Sequence, residues 1–206
     1  MHKGNIERCL VTWGKLQTFL FTRLIAGQFR RCGSGTRISP PFRFANLSRI
    51  SLGENVIIHR DCWIHVLEIP GGDQNSGEIV IQSNAGIGMG ATISAIRRIL
   101  IGEHVMLARN VYISDHGHAF EDMNVPIPLQ GIAKVAEVEI GASTWIGQNA
   151  CVLPGVRIGK HCVVGSNSVV THGLPDFCVA AGAPAKVIKR YNEGTRRWEK
   201  VSSASE

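Results

Sequence analysis

From Val138 to Thr171 the chain repeats itself every six residues. Branched apolar residues stand at Ile140, Ile146, Val152, Ile158, Val164 and Val170. Two places before each stands a small or apolar residue: Val138, Thr144, Ala150, Val156, Cys162 and Ser168. Glycine follows directly at Gly141, Gly147, Gly159 and Gly165. A helix would repeat at about 3.6 residues and a half-buried strand at about 2, so a strict hexad fits neither alone. It fits a chain that winds in flat coils and stacks on itself, a β-helix.

The same period runs earlier with interruptions. Leu52, Ile58 and Ile64 keep it. So do Ile81, Ile87 and Ile93, and again Ile101, Leu107 and Ile113. Three hexads make one triangular coil, each giving one short strand and one corner. The branched residue points inward, and glycine or a small polar residue relieves the corner where φ is positive. Two stretches break the period. Residues 70–77 have loop composition, and the run from Ser114 to Pro128 is too long for a corner and too rich in proline for a strand. Long loops leaving a rigid scaffold are where function concentrates.

With 206 residues and 44% hydrophobic composition, one domain with an adequate core is expected. The six cysteines form no CxxC pair. Cys62, Cys151 and Cys162 fall within the hexad lattice and read as reduced, small hydrophobes. No stretch approaches a membrane span, and Lys15 and Arg23 interrupt the apolar residues that a signal peptide would need. A cytoplasmic protein is expected. The first fifty residues carry Lys3, Arg8, Lys15, Arg23, Arg30, Arg31, Arg37, Arg43 and Arg49 against Glu7 alone. Ile6, Leu10, Trp13, Leu16, Leu20 and Leu24 return at helical spacing and predict an amphipathic helix over residues 5–28. Such a helix would cap the open end of the solenoid; its basic character also suits peripheral contact with the inner membrane. No nucleic-acid motif accompanies the charge, so no nucleic-acid partner is expected.

Three motifs go further: Val111-Tyr112-Ile113-Ser114-Asp115-His116-Gly117-His118, Trp145-Ile146-Gly147-Gln148-Asn149, and Ala180-Ala181-Gly182-Ala183-Pro184-Ala185-Lys186-Val187-Ile188-Lys189. Together they resemble the hexapeptide-repeat O-acetyltransferases, most of all those that modify bacterial lipopolysaccharide and exopolysaccharide. The resemblance implies an all-β, left-handed parallel β-helix with an N-terminal helical segment and an extended loop. The helical cap would take residues 1–34, the β-helix 35–182 with its loop at 114–137, and a coenzyme-binding tail 183–206. It also implies a homotrimer with the active site between subunits, acetyl-CoA as donor, no metal, and a sugar hydroxyl of a surface polysaccharide or its precursor as acceptor.

By the same resemblance His116 matches the general base. Imidazole suits that work, because a sugar hydroxyl is a poor nucleophile unless its proton is removed as it attacks. The N–H of Gln148 matches the donor to the developing oxyanion. Trp145 and Gly147 of the Trp-Ile-Gly motif would lie along the pantetheine arm. Ser166 and Thr171 match the lining of the coenzyme groove, and Lys186 and Lys189 match residues near its phosphates. His118 and Asn84 are candidate acceptor contacts. His59, His104 and His161 read as surface residues on turns, and His65 as the opening of the first loop. Neighbours on an extended chain point to opposite sides, which argues against Asp115 as a partner of His116. Two other readings stand beside this one. A γ-carbonic anhydrase-like enzyme would hold zinc through His65, His116 and His118 drawn from two subunits, and a non-catalytic solenoid would only scaffold partners.

Overall fold

The computed structural model describes residues 3–68 and 77–201. Of the loop expected at 70–77, all but Gly77 lies outside the described residues. The chain forms a left-handed parallel β-helix with three faces. The first face is a 6-stranded sheet that begins at Arg31–Cys32, the second a 9-stranded sheet that begins at Arg37–Ile38, and the third a 6-stranded sheet that begins at Phe42–Ala45.

The hexad is the reason for this shape. Every sixth residue falls on the same depth of the next face, and every eighteenth on the same face one coil later. Leu52, Ile81, Ile101, Ile140 and Ile158 therefore stack in register on the first face. Ile58, Ile87, Leu107, Ile146 and Val164 stack on the second. Ile64, Ile93, Ile113, Val152 and Val170 stack on the third. All are buried. Removing one buried isoleucine would cost about 2–5 kcal/mol, because rigid coils above and below cannot collapse into the gap.

The corners rest mostly on polar residues at positive φ, one of the two expected solutions. The left-handed position belongs mainly to asparagine and histidine: Asn55, Asn84 and His104 at one corner, Asn110, Asn149 and Asn167 at the next. The asparagine amides bond from coil to coil, Asn110 to Asn149 at 3.2 Å and Asn149 to Asn167 at 3.0 Å. The glycine after the inward residue has another purpose. A Cβ on Gly147 would stand 2.6 Å from the N of Ser166, and one on Gly141 2.5 Å from the N of Lys160. These glycines are required by the close stacking of backbones, not by positive φ.

The N-terminal helix spans Lys3–Ile25. Its C-terminal half lies against the first strand of the second face, where the sheet would otherwise present an open edge. The Thr22 hydroxyl donates to the Thr18 carbonyl at 2.6 Å and accepts the N–H of Ile38 at 2.8 Å. Ile25 and Phe29 enter the core. At the other end, residues expected as a tail form strands Ala185–Asn192 and Arg197–Lys200. The first pairs antiparallel with Cys178–Gly182 and the second with the first, so the second face ends in a hairpin.

Candidate active site

The third face ends in a polar column at its far corner. His65, Ser94 and Ser114 occupy successive coils in register. His65 is not a loop residue: the strand Cys62–Val66 carries it, and it is buried. Its ring stacks on Trp63 at 4.4 Å, and its Nε2 lies 2.9 Å from the Ser94 hydroxyl. Nδ1 is buried without a partner among the described residues. Burial first, and then the nearby His116, push the His65 imidazole below its ordinary range. It is therefore a neutral ring at physiological pH.

After Ser114 the chain leaves the strand. Asp115 turns inward and is fully buried. Its Oδ1 accepts the N–H of Ile96 at 2.8 Å, and its Oδ2 accepts those of Arg97 at 2.7 Å and Arg98 at 2.8 Å. The same Oδ1 lies 2.9 Å from Nδ1 of His116. This corrects the expectation that Asp115 and His116 diverge. The argument assumed an extended chain, whereas the strand Tyr112–Ser114 stops one residue earlier and lets adjacent side chains converge.

The pair fixes a tautomer. A carboxylate that accepts three backbone N–H groups is a pure acceptor, so the proton between Asp115 and His116 belongs on Nδ1. Nε2 then keeps its lone pair and can take a proton. The His116 side chain is 10% exposed, so it is shielded but open at one edge. Ser114 adds to the frame: its hydroxyl donates to the His116 carbonyl at 2.9 Å.

The extended loop begins here. Gly117–His118 pairs antiparallel with Ile132–Ala133, and His118 is exposed. The Gln130 side chain ties the loop together, donating to the carbonyls of Asp122 at 2.8 Å and Val125 at 2.7 Å. At its base Ala136 N–H donates to the Asp115 carbonyl at 2.8 Å. Glu137 faces both Arg97 and Arg98.

The residues matched to coenzyme binding lie elsewhere in the chain. Trp145 points outward from the second face, half exposed, between Met106 and Val163 in register. Gly147, Gln148 and Ser166 sit at the corner between the second and third faces. The Gln148 N–H carries no hydrogen bond among the described residues. Lys186 and Lys189 stand exposed on the hairpin that extends the second face, opposite Ala181 and Val179. Thr171 is on the His116 side, where its hydroxyl contacts His172 Nδ1 at 2.8 Å. Asn84 does not join His116 within the chain. It is a left-handed corner residue between the first and second faces, and its side chain accepts from Asn55 at 3.3 Å. Roughly five extended residues separate the Gln148 corner from the His116 corner, about 16 Å. One chain therefore does not bring base and oxyanion donor together. Within one chain, among the described residues, no group of three His, Cys, Asp or Glu could hold a metal.

Sequence reasoning missed Ser94 and misplaced Asp115 and His65. The signal was present, since Ser94 and Ser114 follow the inward Ile93 and Ile113 at the same place in the repeat.

Comparison with known proteins agrees with the architecture. The family described as bacterial transferase hexapeptide (six repeats) matches residues 137–172. The chain is 38% identical over 132 residues to a putative lipopolysaccharide biosynthesis O-acetyl transferase, WbbJ, of Escherichia coli, covering 61% of the chain and 67% of that protein. It is 28% identical over 185 residues to the galactoside O-acetyltransferase of Escherichia coli, covering 87% and 88%. It spans only 42% of a probable acetyltransferase of Mycobacterium tuberculosis, with 39% identity. Among solved structures, AntD, an N-acyltransferase from Bacillus cereus in complex with dTDP and 3-hydroxybutyryl-CoA, superposes with a TM-score of 0.70 at 20% identity, over 84% of this chain and 89% of that one. The repeat that shapes every coil, and the length over which relatives share it, make this chain a member of the hexapeptide-repeat acetyltransferases, an acyltransferase similar to one named for lipopolysaccharide biosynthesis.

Proposed function

We propose that the protein transfers an acetyl group from acetyl-CoA to a sugar hydroxyl of a bacterial surface polysaccharide or its precursor. The observation that carries this reading is the buried Asp115 carboxylate 2.9 Å from His116 Nδ1. That contact leaves Nε2 as a positioned base on the loop of a sugar-acyltransferase-like scaffold. Support for the coenzyme comes from solved relatives whose complexes hold 3-hydroxybutyryl-CoA, and coenzyme A with GDP-perosamine.

In the proposed reaction His116 Nε2 removes the acceptor hydroxyl proton as the oxygen attacks the thioester carbonyl carbon. The carbonyl oxygen becomes an oxyanion, and the N–H of Gln148 donates to it. The intermediate collapses, the carbon–sulfur bond breaks, and the proton on His116 passes to the coenzyme thiolate. Asp115 holds the imidazole and stabilises its cationic form in between. Trp145 packs along the pantetheine arm, while Lys186 and Lys189 face the phosphates. The separation of His116 and Gln148 at different corners supports a site completed by a second copy, and the resemblance to the family makes the proposed active species a homotrimer.

Deletion of the gene followed by mass spectrometry of the surface glycan tests the reading. Loss of one acetyl group is expected, and its position identifies the hydroxyl. A glycan with unchanged acetylation would refute it.

A further inference from the structure

We propose that the outer side of the N-terminal helix, with the arginines of the first coil, seats the protein on an anionic lipid surface. Thr18, Phe21, Thr22 and Ile25 are the residues that face the solenoid. Ile6, Leu10, Trp13, Leu20 and Leu24 recur at spacings of four, three, seven and four, so they share another side of the helix. Each is more than half exposed, Leu24 at 77% and Leu10 at 66%. A helix lying on its own domain ordinarily turns polar residues outward. Here the outward side is an apolar stripe, and an apolar surface of that extent marks a docking site.

Charge chooses the occupant. Arg8, Lys15 and Arg23 are exposed on the sides of the helix away from the stripe, Lys15 and Arg8 nearly opposite it, and Glu7 is the one acid in the helix. The first coil adds an exposed arginine on each face: Arg31, Arg37 and Arg43. A second copy of this helix would set cations against cations with almost no acid to pair them. An anionic surface attracts all of them, while the stripe enters its apolar layer. No helix among the described residues is long and apolar enough to cross a membrane, so this one lies in the surface plane. Trp13 is suited to the boundary, with an apolar body and a polar N–H.

The test uses the full chain and vesicles of phosphatidylcholine alone or mixed with phosphatidylglycerol, separated by sedimentation. Binding is expected to the mixed vesicles only, and it should weaken as salt rises. The double variant Leu10→Asp, Leu20→Asp should lose more than about tenfold in vesicle affinity, since both side chains would enter the apolar layer. Its thermal midpoint should hold, because both side chains are largely exposed in the folded protein. Lys15→Glu with Arg23→Glu should weaken binding and flatten its salt dependence. Absence of wild-type binding to mixed vesicles would overturn the proposal, as would full binding by the leucine variant. A third result also overturns it: neither protein binds vesicles, and the leucine variant alone dissociates in light scattering. The stripe would then seat another copy of the chain.

Discussion

Replacing Asp115 with Asn changes one oxygen to an NH2 group and leaves the shape unchanged, so its consequences follow from the bonds already described. Oδ2 accepts from two backbone N–H groups, and Oδ1 accepts from Ile96 N–H and faces His116 Nδ1. Placing the NH2 at Oδ2 would set it against two donors. Placing it at Oδ1 loses only the Ile96 bond and lets the amide donate to Nδ1. The second orientation is therefore favoured. It costs one hydrogen bond to a charged group, about 1.5–3 kcal/mol. For a domain of this size that is roughly 3–12 °C in Tm. It also inverts the imidazole: Nδ1 becomes the acceptor, the proton moves to Nε2, and the base is lost. The expected fall in kcat is about 10²–10⁴. Donor affinity should hold, because Trp145, Lys186 and Lys189 lie on the second face and its hairpin. The assay is release of coenzyme A thiol with the purified acceptor, alongside calorimetric titration of the donor. A folded Asp115→Asn protein with near-normal kcat would refute the tautomer argument.

Other expectations follow from single contacts. Lys186→Ala should raise KM for acetyl-CoA more than it lowers kcat, since a contact to remote phosphates is alike in ground and transition states; an unchanged KM would remove Lys186 from the site. Thr22→Val should destabilise by about 1–3 kcal/mol, because the Ile38 N–H loses the hydroxyl that accepts it; a denaturation midpoint equal to wild type would show that the helix does not cap this edge. His65 gives a pH dependence. Its folded value is depressed, by burial and then by His116, so its unfolded form takes up a proton at higher pH than the folded form. The stability held by the neutral ring is complete above the unfolded value of about 6.5 and is lost as pH falls below it. Urea midpoints should decline over that range, and His65→Gln should flatten the decline; an identical slope would contradict the assignment.

The coils were legible because the inward residue falls at every sixth place from Ile140 to Val170 and needs no other context. The capping helix was legible for the same reason, through a different period. The hairpin at Ala185–Asn192 was not. Its burial alternates only weakly, and it forms a strand because the second face leaves an edge that must be paired. The sequence did not show that Asn84 is a corner residue, because a left-handed φ of 62° is set by the coil and not by the residue type alone. Asp115 was misjudged because a sequence does not reveal where a strand ends. One residue of difference decides whether neighbours diverge or meet. His65 was placed in a loop because the interruption after Val66 hides that its own strand runs on past the inward Ile64.

The most direct test of the proposed chemistry compares His116→Ala with His118→Ala in steady-state acetyl transfer. His116 is clamped by a buried carboxylate, whereas His118 is exposed on the loop strand. His116→Ala should lower kcat by about 10²–10⁴ with unchanged affinity for acetyl-CoA, and His118→Ala should have the milder effect. Near-normal turnover by His116→Ala, above all with loss of turnover in His118→Ala, would contradict the assignment of the base.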